Sequence, residues 1–278
     1  MSHFDRFESW VETGSASLHV TQAGDGTPAL VFLHYWGGSS RTWQPVIERL
    51  AGSARCVAID HRGWGRSSAP NAGYAIEDLA ADALAVIQTL ELDAYILVGH
   101  SMGGKVAQLL ASRRPDGLRG VVLVAPAPAK PVAVPEATRT QMAKAYLSRE
   151  AVIATLDGVL RHAALSDELR EQVVTDSLAG SAAAKRQWPA ATILQDVSAG
   201  LAEIDVPVLV VAGRQDRVEP IEVIKSHVLA EIPGARLDVI DDSGHLIPLE
   251  QPDALSDRIT AFRDTTVLAC STDHAPKR

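Results

Sequence analysis

Cysteine is almost missing from this 278-residue chain: Cys56 and Cys270 are the only two. They cannot make a framework of several disulfides. One lies in an apolar run and the other near the C-terminus, a usage that suits a reducing cytosol. Residues 1–6 show no basic stretch followed by an apolar core, so no secretory signal is visible and a cytoplasmic location is expected. No uninterrupted apolar stretch approaches the roughly 18 residues of a membrane span, so no membrane partner is expected. Long Lys/Arg runs are absent too. With 26 basic against 34 acidic side chains the net charge is −8, which argues against nucleic acid as a partner. Neither HExxH nor CxxC occurs, and His34, His61 and His100 follow different apolar runs, so no metal is expected. The segment Asp60-His-Arg-Gly-Trp-Gly-Arg-Ser67 lacks the third glycine of a dinucleotide fingerprint and the Lys-Ser/Thr of a phosphate loop.

What is present is the composition of a globular protein, 46% hydrophobic and 22% charged, at a length that fits one domain with a sizeable insertion. Short apolar runs at 29–33, 56–59, 94–98, 120–125, 206–212 and 237–240 read as strands buried on both faces. Between them 41–50, 76–90, 102–113, 219–232 and 252–263 have helical spacing. This alternation predicts an α/β fold with a mostly parallel sheet flanked by helices. The more polar 7–13 and 15–21, joined through Gly14, read as an antiparallel hairpin at one edge. The rhythm stops between about 126 and 200. A proline-rich exit at 125–135 is followed there by helical segments at 136–148, 149–162, 166–178 and around 181–194. These are read as a helical cap over one sheet edge, with a helical extension packed elsewhere as the alternative. The division expected is core at 1–125, cap at 126–200, core again at 201–265, and a polar, frayed tail at 266–278.

Gly99-His100-Ser101-Met102-Gly103 is a G-x-S-x-G pentapeptide directly after a predicted strand and before a predicted helix, the context a nucleophile elbow requires. Such a turn exposes the serine hydroxyl at a helix N-terminus, where the dipole favours developing negative charge. A simple N-cap serine is the plainer reading of the same residue. With this motif the sequence resembles the α/β-hydrolase superfamily over nearly its whole length. In motif pattern it is similar to bacterial arylesterases, cofactor-free haloperoxidases or perhydrolases, and capped carbon-carbon hydrolases.

The resemblance implies an α/β-hydrolase fold with an inserted helical cap, and the order nucleophile, acid, histidine. Asp216, in the loop after the run ending at Gly213, matches the acid; Asp241 and Asp242 compete but follow a different strand. His245 in Asp242-Ser-Gly-His245 matches the base, whereas His227 falls in a helical stretch and His274 in the tail. His34-Tyr35-Trp36 matches the loop that supplies an oxyanion donor, making the backbone N–H groups of Trp36 and Met102 the expected pair. Tyr35 stands where the family usually has glycine, so it and Trp36 either bound the pocket or plug the core beneath the cap. Met142, Tyr146 and Trp188 are candidates to line a substrate pocket, or else form the cap's own core. Asp60–Ser67 matches a loop of mainly structural role, and Lys105 is expected to be solvated or paired. The expected function is hydrolysis of small-molecule carboxylic esters through an acyl-enzyme. A perhydrolase, a lactonase or a carbon-carbon hydrolase could use the same side chains, and a receptor with a degenerate pocket is the non-enzymatic alternative. Serine at position 101 excludes an aspartate-nucleophile dehalogenase or epoxide hydrolase. The sequence leaves monomer and homo-oligomer open.

Overall fold

Strands with one polar face stay at the edge of a sheet, and runs without one are driven inside. In the computed structural model, which describes residues 6–272, β1 (Arg6–Glu12) and β2 (Ser17–Ala23) form the polar hairpin, antiparallel with Trp10 opposite His19. The strands β3 (Ala29–Leu33), β4 (Cys56–Ile59) and β5 (Tyr95–His100) are buried throughout. So are β6 (Leu118–Val124), except at Arg119, and β7 (Val208–Gly213). The last, β8 (Arg236–Ile240), is half-exposed. Among the described residues these eight form one sheet in the order β1-β2-β4-β3-β5-β6-β7-β8. Only the β1–β2 and β2–β4 pairings are antiparallel.

Helices α1 (Gln44–Leu50), α2 (Ile76–Thr89) and α3 (Met102–Ser112) connect the first strands. Between β6 and β7 come α4 (Glu136–Met142), α5 (Arg149–Thr155) running into a π-helical turn Leu156–Leu160, α6 (Asp167–Ala179) and α7 (Ala182–Ala190). Short helices α8 (Ile221–Ile224) and α9 (Ile247–Glu250) precede the long α10 (Pro252–Thr272). The two-residue period of the strands divides the core. Leu30, Phe32, Ile96 and Val98 meet Val46 and Leu50 of α1 and Ile259 and Phe262 of α10. Val31, Leu33, Leu97 and Leu123 meet Leu79 and Ala83 of α2 and Val106 and Leu110 of α3.

Two expectations are corrected. The segment read as a frayed tail from 266 is helical through Thr272, because Thr266 is buried one turn beyond buried Phe262 and bonds back to its carbonyl at 2.8 Å. The remainder of that tail, 273–278 with His274, lies outside the described residues. The helix read at 219–232 is instead the single turn of α8 followed by a π-helical turn Lys225–Leu229.

Candidate active site

Parallel strands deliver their carboxyl ends to one edge, so the loops after β3, β5, β7 and β8 converge there. Ser101, the first residue beyond β5, adopts φ 53° and ψ −113°, outside the conformations an L-residue prefers. The surroundings hold it there. Its N–H donates to Val124 O at 3.0 Å, and its carbonyl accepts from Lys105 N and Ala127 N, each at 3.0 Å. Glycine is obligatory at two flanking positions. A Cβ on Gly99 would lie 2.4 Å from Gly103 O, and one on Gly103 would lie 2.3 Å from Leu33 O. The second contact presses the start of α3 against the end of β3, where the His34–Trp36 loop begins.

Asp216 and His245 meet across 2.8 Å, Oδ2 of the carboxylate accepting from Nδ1–H of the ring. That bond fixes the tautomer and leaves Nε2 as the acceptor. Asp216 Oδ1 accepts from the backbone N–H groups of Val218 at 2.7 Å and Glu219 at 3.0 Å, so both oxygens are satisfied. The competing Asp241 pairs with Arg214 at the surface. The His245 loop is held by Glu250, whose Oε1 accepts from Gly244 N and Leu246 N, each at 3.1 Å. Its Oε2 accepts from His162 N and Ala163 N, each at 2.7 Å. His245 N–H itself donates to Leu160 O at 2.8 Å, tying the loop to the π-helical turn after α5. Ser101 Oγ and His245 are not hydrogen-bonded to each other here, but both line one cavity.

The loop after β3 is governed by His34. Its Nε2 accepts from His61 N–H at 3.0 Å, so Nδ1 carries the proton and donates to Tyr35 O at 2.7 Å. Burial pushes the His34 ring down to about 4, which keeps it neutral and in this tautomer. Gly38 N–H shares the Tyr35 carbonyl at 3.1 Å. In a trans peptide the Trp36 N–H points away from that carbonyl. Met102, as the first residue of α3, has an N–H that no helical carbonyl accepts. Tyr35 in place of glycine is accommodated by its neighbours. A Cβ on Gly38 would meet the Tyr35 ring at 2.5 Å, and one on Gly37, at φ +102°, would meet the Tyr146 ring at 2.4 Å.

Elements between β6 and β7 grip this loop. Tyr146 donates to Trp36 O at 2.9 Å, Ser177 Oγ to Gly37 O at 2.8 Å, and Ser39 Oγ to Asp176 at 2.8 Å. They enclose a mostly apolar cavity of about 420 Å³. Tyr35, Trp36, Met142, Tyr146 and Trp188 all line it together with Ser101 and His245, and Ala145, Tyr146, Leu160 and Trp188, buried residues from between β6 and β7, also pack into the core. Met142, Tyr146 and Trp188 thus face the cavity and at the same time pack in or against the core.

Lys105 departs from the solvated reading. It is 1% exposed, and its Nζ donates to Ile193 O at 3.1 Å. Asp60 fits the structural role of its loop, accepting from Ser40 N at 2.6 Å, Arg66 N at 2.9 Å and His19 at 2.9 Å. These contacts hold it down at about 2 against its burial. Sequence reading missed Glu250 and Glu219. The signal for Glu250 is an acid five residues past His245, and for Glu219, which lines the cavity, an acid three residues past Asp216. Among the described residues no group of three His, Cys, Asp or Glu is placed to hold a metal ion, and no helix is long and apolar enough to cross a membrane.

A sequence profile described as the alpha/beta hydrolase family matches residues 30–258. An AB hydrolase superfamily protein of Bacillus subtilis is 30% identical over 95% of this chain and 100% of its own. The 3-oxoadipate enol-lactonase 2 of Acinetobacter baylyi is 33% identical over 84% of this chain and 88% of its own. In fold, an esterase from Exiguobacterium antarcticum superposes with a TM-score of 0.85 over 93% of this chain and 100% of that one, at 23% identity.

Proposed function

The chain belongs to the alpha/beta hydrolase family, and from that premise we propose that it hydrolyses carboxylic esters of small molecules with Ser101 as nucleophile. The observation that carries this reading is the Asp216–His245 pair opening on the same cavity as the strained Ser101. Nε2 of His245 takes the hydroxyl proton as the serine oxygen attacks the ester carbonyl. The carbonyl π electrons move to oxygen, and the Trp36 and Met102 N–H groups stabilise that oxyanion. Collapse expels the alcohol, which leaves with the proton from His245. Water then attacks the acyl carbonyl as it loses a proton to His245, and collapse releases the acid while Ser101 Oγ takes that proton back. Asp216 stabilises the imidazolium in both halves of the cycle. Because the serine oxygen carries the acyl group, the cycle calls on no cofactor, and its only partner is the small-molecule substrate.

Similarity to an enol-lactonase over most of the chain favours one variant, in which the ester is cyclic and alcohol and acid remain joined. A panel of p-nitrophenyl esters and lactones, with peracid formation scored in parallel, tests the proposal. Turnover of an ester or lactone that disappears in Ser101→Ala is expected. An absence of ester and lactone turnover in a folded protein overturns it.

A further inference from the structure

Glu219 puts a carboxyl group into a cavity otherwise lined mostly by apolar and aromatic side chains. Its backbone is fixed by the N–H bond to Asp216 Oδ1 at 3.0 Å. Among the described residues, no donor reaches its carboxyl oxygens. Around the same space stand the rings of Tyr35, Trp36, Tyr146 and Trp188, with Trp36 and Tyr146 only 4.4 Å apart between centroids. Aromatic faces attract cations, and a carboxyl in a desolvated pocket strengthens that attraction.

We infer that this cavity selects organic cations, so that the preferred substrates carry a quaternary or protonated amine held by Glu219 and the surrounding rings. The inference deepens the ester-hydrolase reading by naming a substrate class, and as a hydrolase it rests on that reading. The neighbouring charges agree with it. Burial, and then the charge of Asp216, push the Glu219 carboxyl well up, and no donor among the described residues bonds its oxygens to offset this. Lys105 attracts it from α3, but its ammonium is committed to Ile193 O. Arg217 also lines the cavity, and its guanidinium is exposed and committed to Gly158 O at 2.8 Å. Of the other titratable groups facing the space, His245 is bound to Asp216, and burial pushes the Tyr35 and Tyr146 phenols up, so both stay neutral. A bound cation supplies the missing partner, so its entry expels the Glu219 proton. A carboxylate would instead face both Glu219 and Asp216.

Calorimetric titration with benzyltrimethylammonium and with phenylacetate, each in two buffers of different ionisation heat, tests this without turnover. The ammonium should bind at least about tenfold more tightly than the carboxylate, with proton release. Glu219→Gln should lose both the preference and the proton release while melting as the wild type does. Equal affinities overturn the inference, as does a carboxylate preference that Arg217→Gln removes. A kinetic arm compares a trimethylammonium-bearing p-nitrophenyl ester with a neutral one, and their kcat/KM ratio should fall about tenfold or more in Glu219→Gln. Ester turnover without cation preference sinks this inference alone. Cation binding without any ester turnover sinks the proposed reaction and leaves the subsite standing.

Discussion

The Tyr146 hydroxyl donates to the Trp36 carbonyl across 2.9 Å, joining the helices inserted between β6 and β7 to the loop that presents a proposed oxyanion donor. Both residues are buried, so the bond has no water to replace it. Tyr146→Phe leaves that carbonyl unpaired and should lower stability by about 1–3 kcal/mol. It should also reduce kcat/KM, because the loop loses one of its anchors. Thermal melting and ester kinetics on the variant check this, and an unchanged melting temperature contradicts it.

Asp216→Asn tests the acid. The asparagine keeps the size of the side chain but cannot hold His245 in the tautomer that leaves Nε2 free. The expected loss in kcat is on the order of 10⁴, with the fold intact by circular dichroism. Full activity would show that another carboxylate serves the imidazole.

How far the sequence could be read depended on how local each cause was. The runs at 29–33 and 56–59 became β3 and β4 at the same bounds, because a short strand covered on both faces declares itself by apolarity alone. The gathering of Ser101, Asp216 and His245 at one sheet edge was legible because each sits at a fixed place relative to a strand end. The partnership of Glu250 with both neighbours of His245 was not, since nothing at position 250 reveals which N–H groups will face it. Nor was the burial of Lys105, which α3 carries under the 193 carbonyl only once the inserted helices have packed. Thr266 was misjudged for the same reason, its environment being set by the packing of α10 and not by its own polarity.

Glu250 is expected to act on His245 through the backbone. Glu250→Gln replaces one acceptor oxygen by an amide nitrogen that faces N–H donors, loosening the turn on both sides of the ring. Misplacement of a reacting group by about 1 Å can cost about 10²-fold, so kcat should fall by roughly 10- to 100-fold with little change in KM. A purely structural residue would lower the melting temperature and leave the kcat of the folded fraction untouched, and that outcome rejects the positioning role.

Lys105 gives a pH-dependent stability of known sign. Burial brings its ammonium down from 10.5 to about 8. Below pH 8 both states are charged and the folded protein bears the cost of the buried charge. Between pH 8 and 10.5 the unfolded chain binds more protons than the folded one, so stability rises with pH, by about 3 kcal/mol for this group. Lys105→Met should therefore stabilise the protein near pH 7, less whatever the unpaired Ile193 carbonyl costs. The advantage over wild type should shrink as the pH approaches 10. Denaturant unfolding at pH 7 and pH 10 measures it, and a difference independent of pH contradicts it.

Mass spectrometry after reaction with a fluorophosphonate, beside ester turnover by Ser101→Ala, bears most directly on the proposed nucleophile. The account predicts one adduct on the peptide containing Ser101, loss of turnover in step with labelling, and an inactive Ser101→Ala. Undiminished ester hydrolysis by that variant, or an adduct on another residue with Ser101 unmodified, would contradict it.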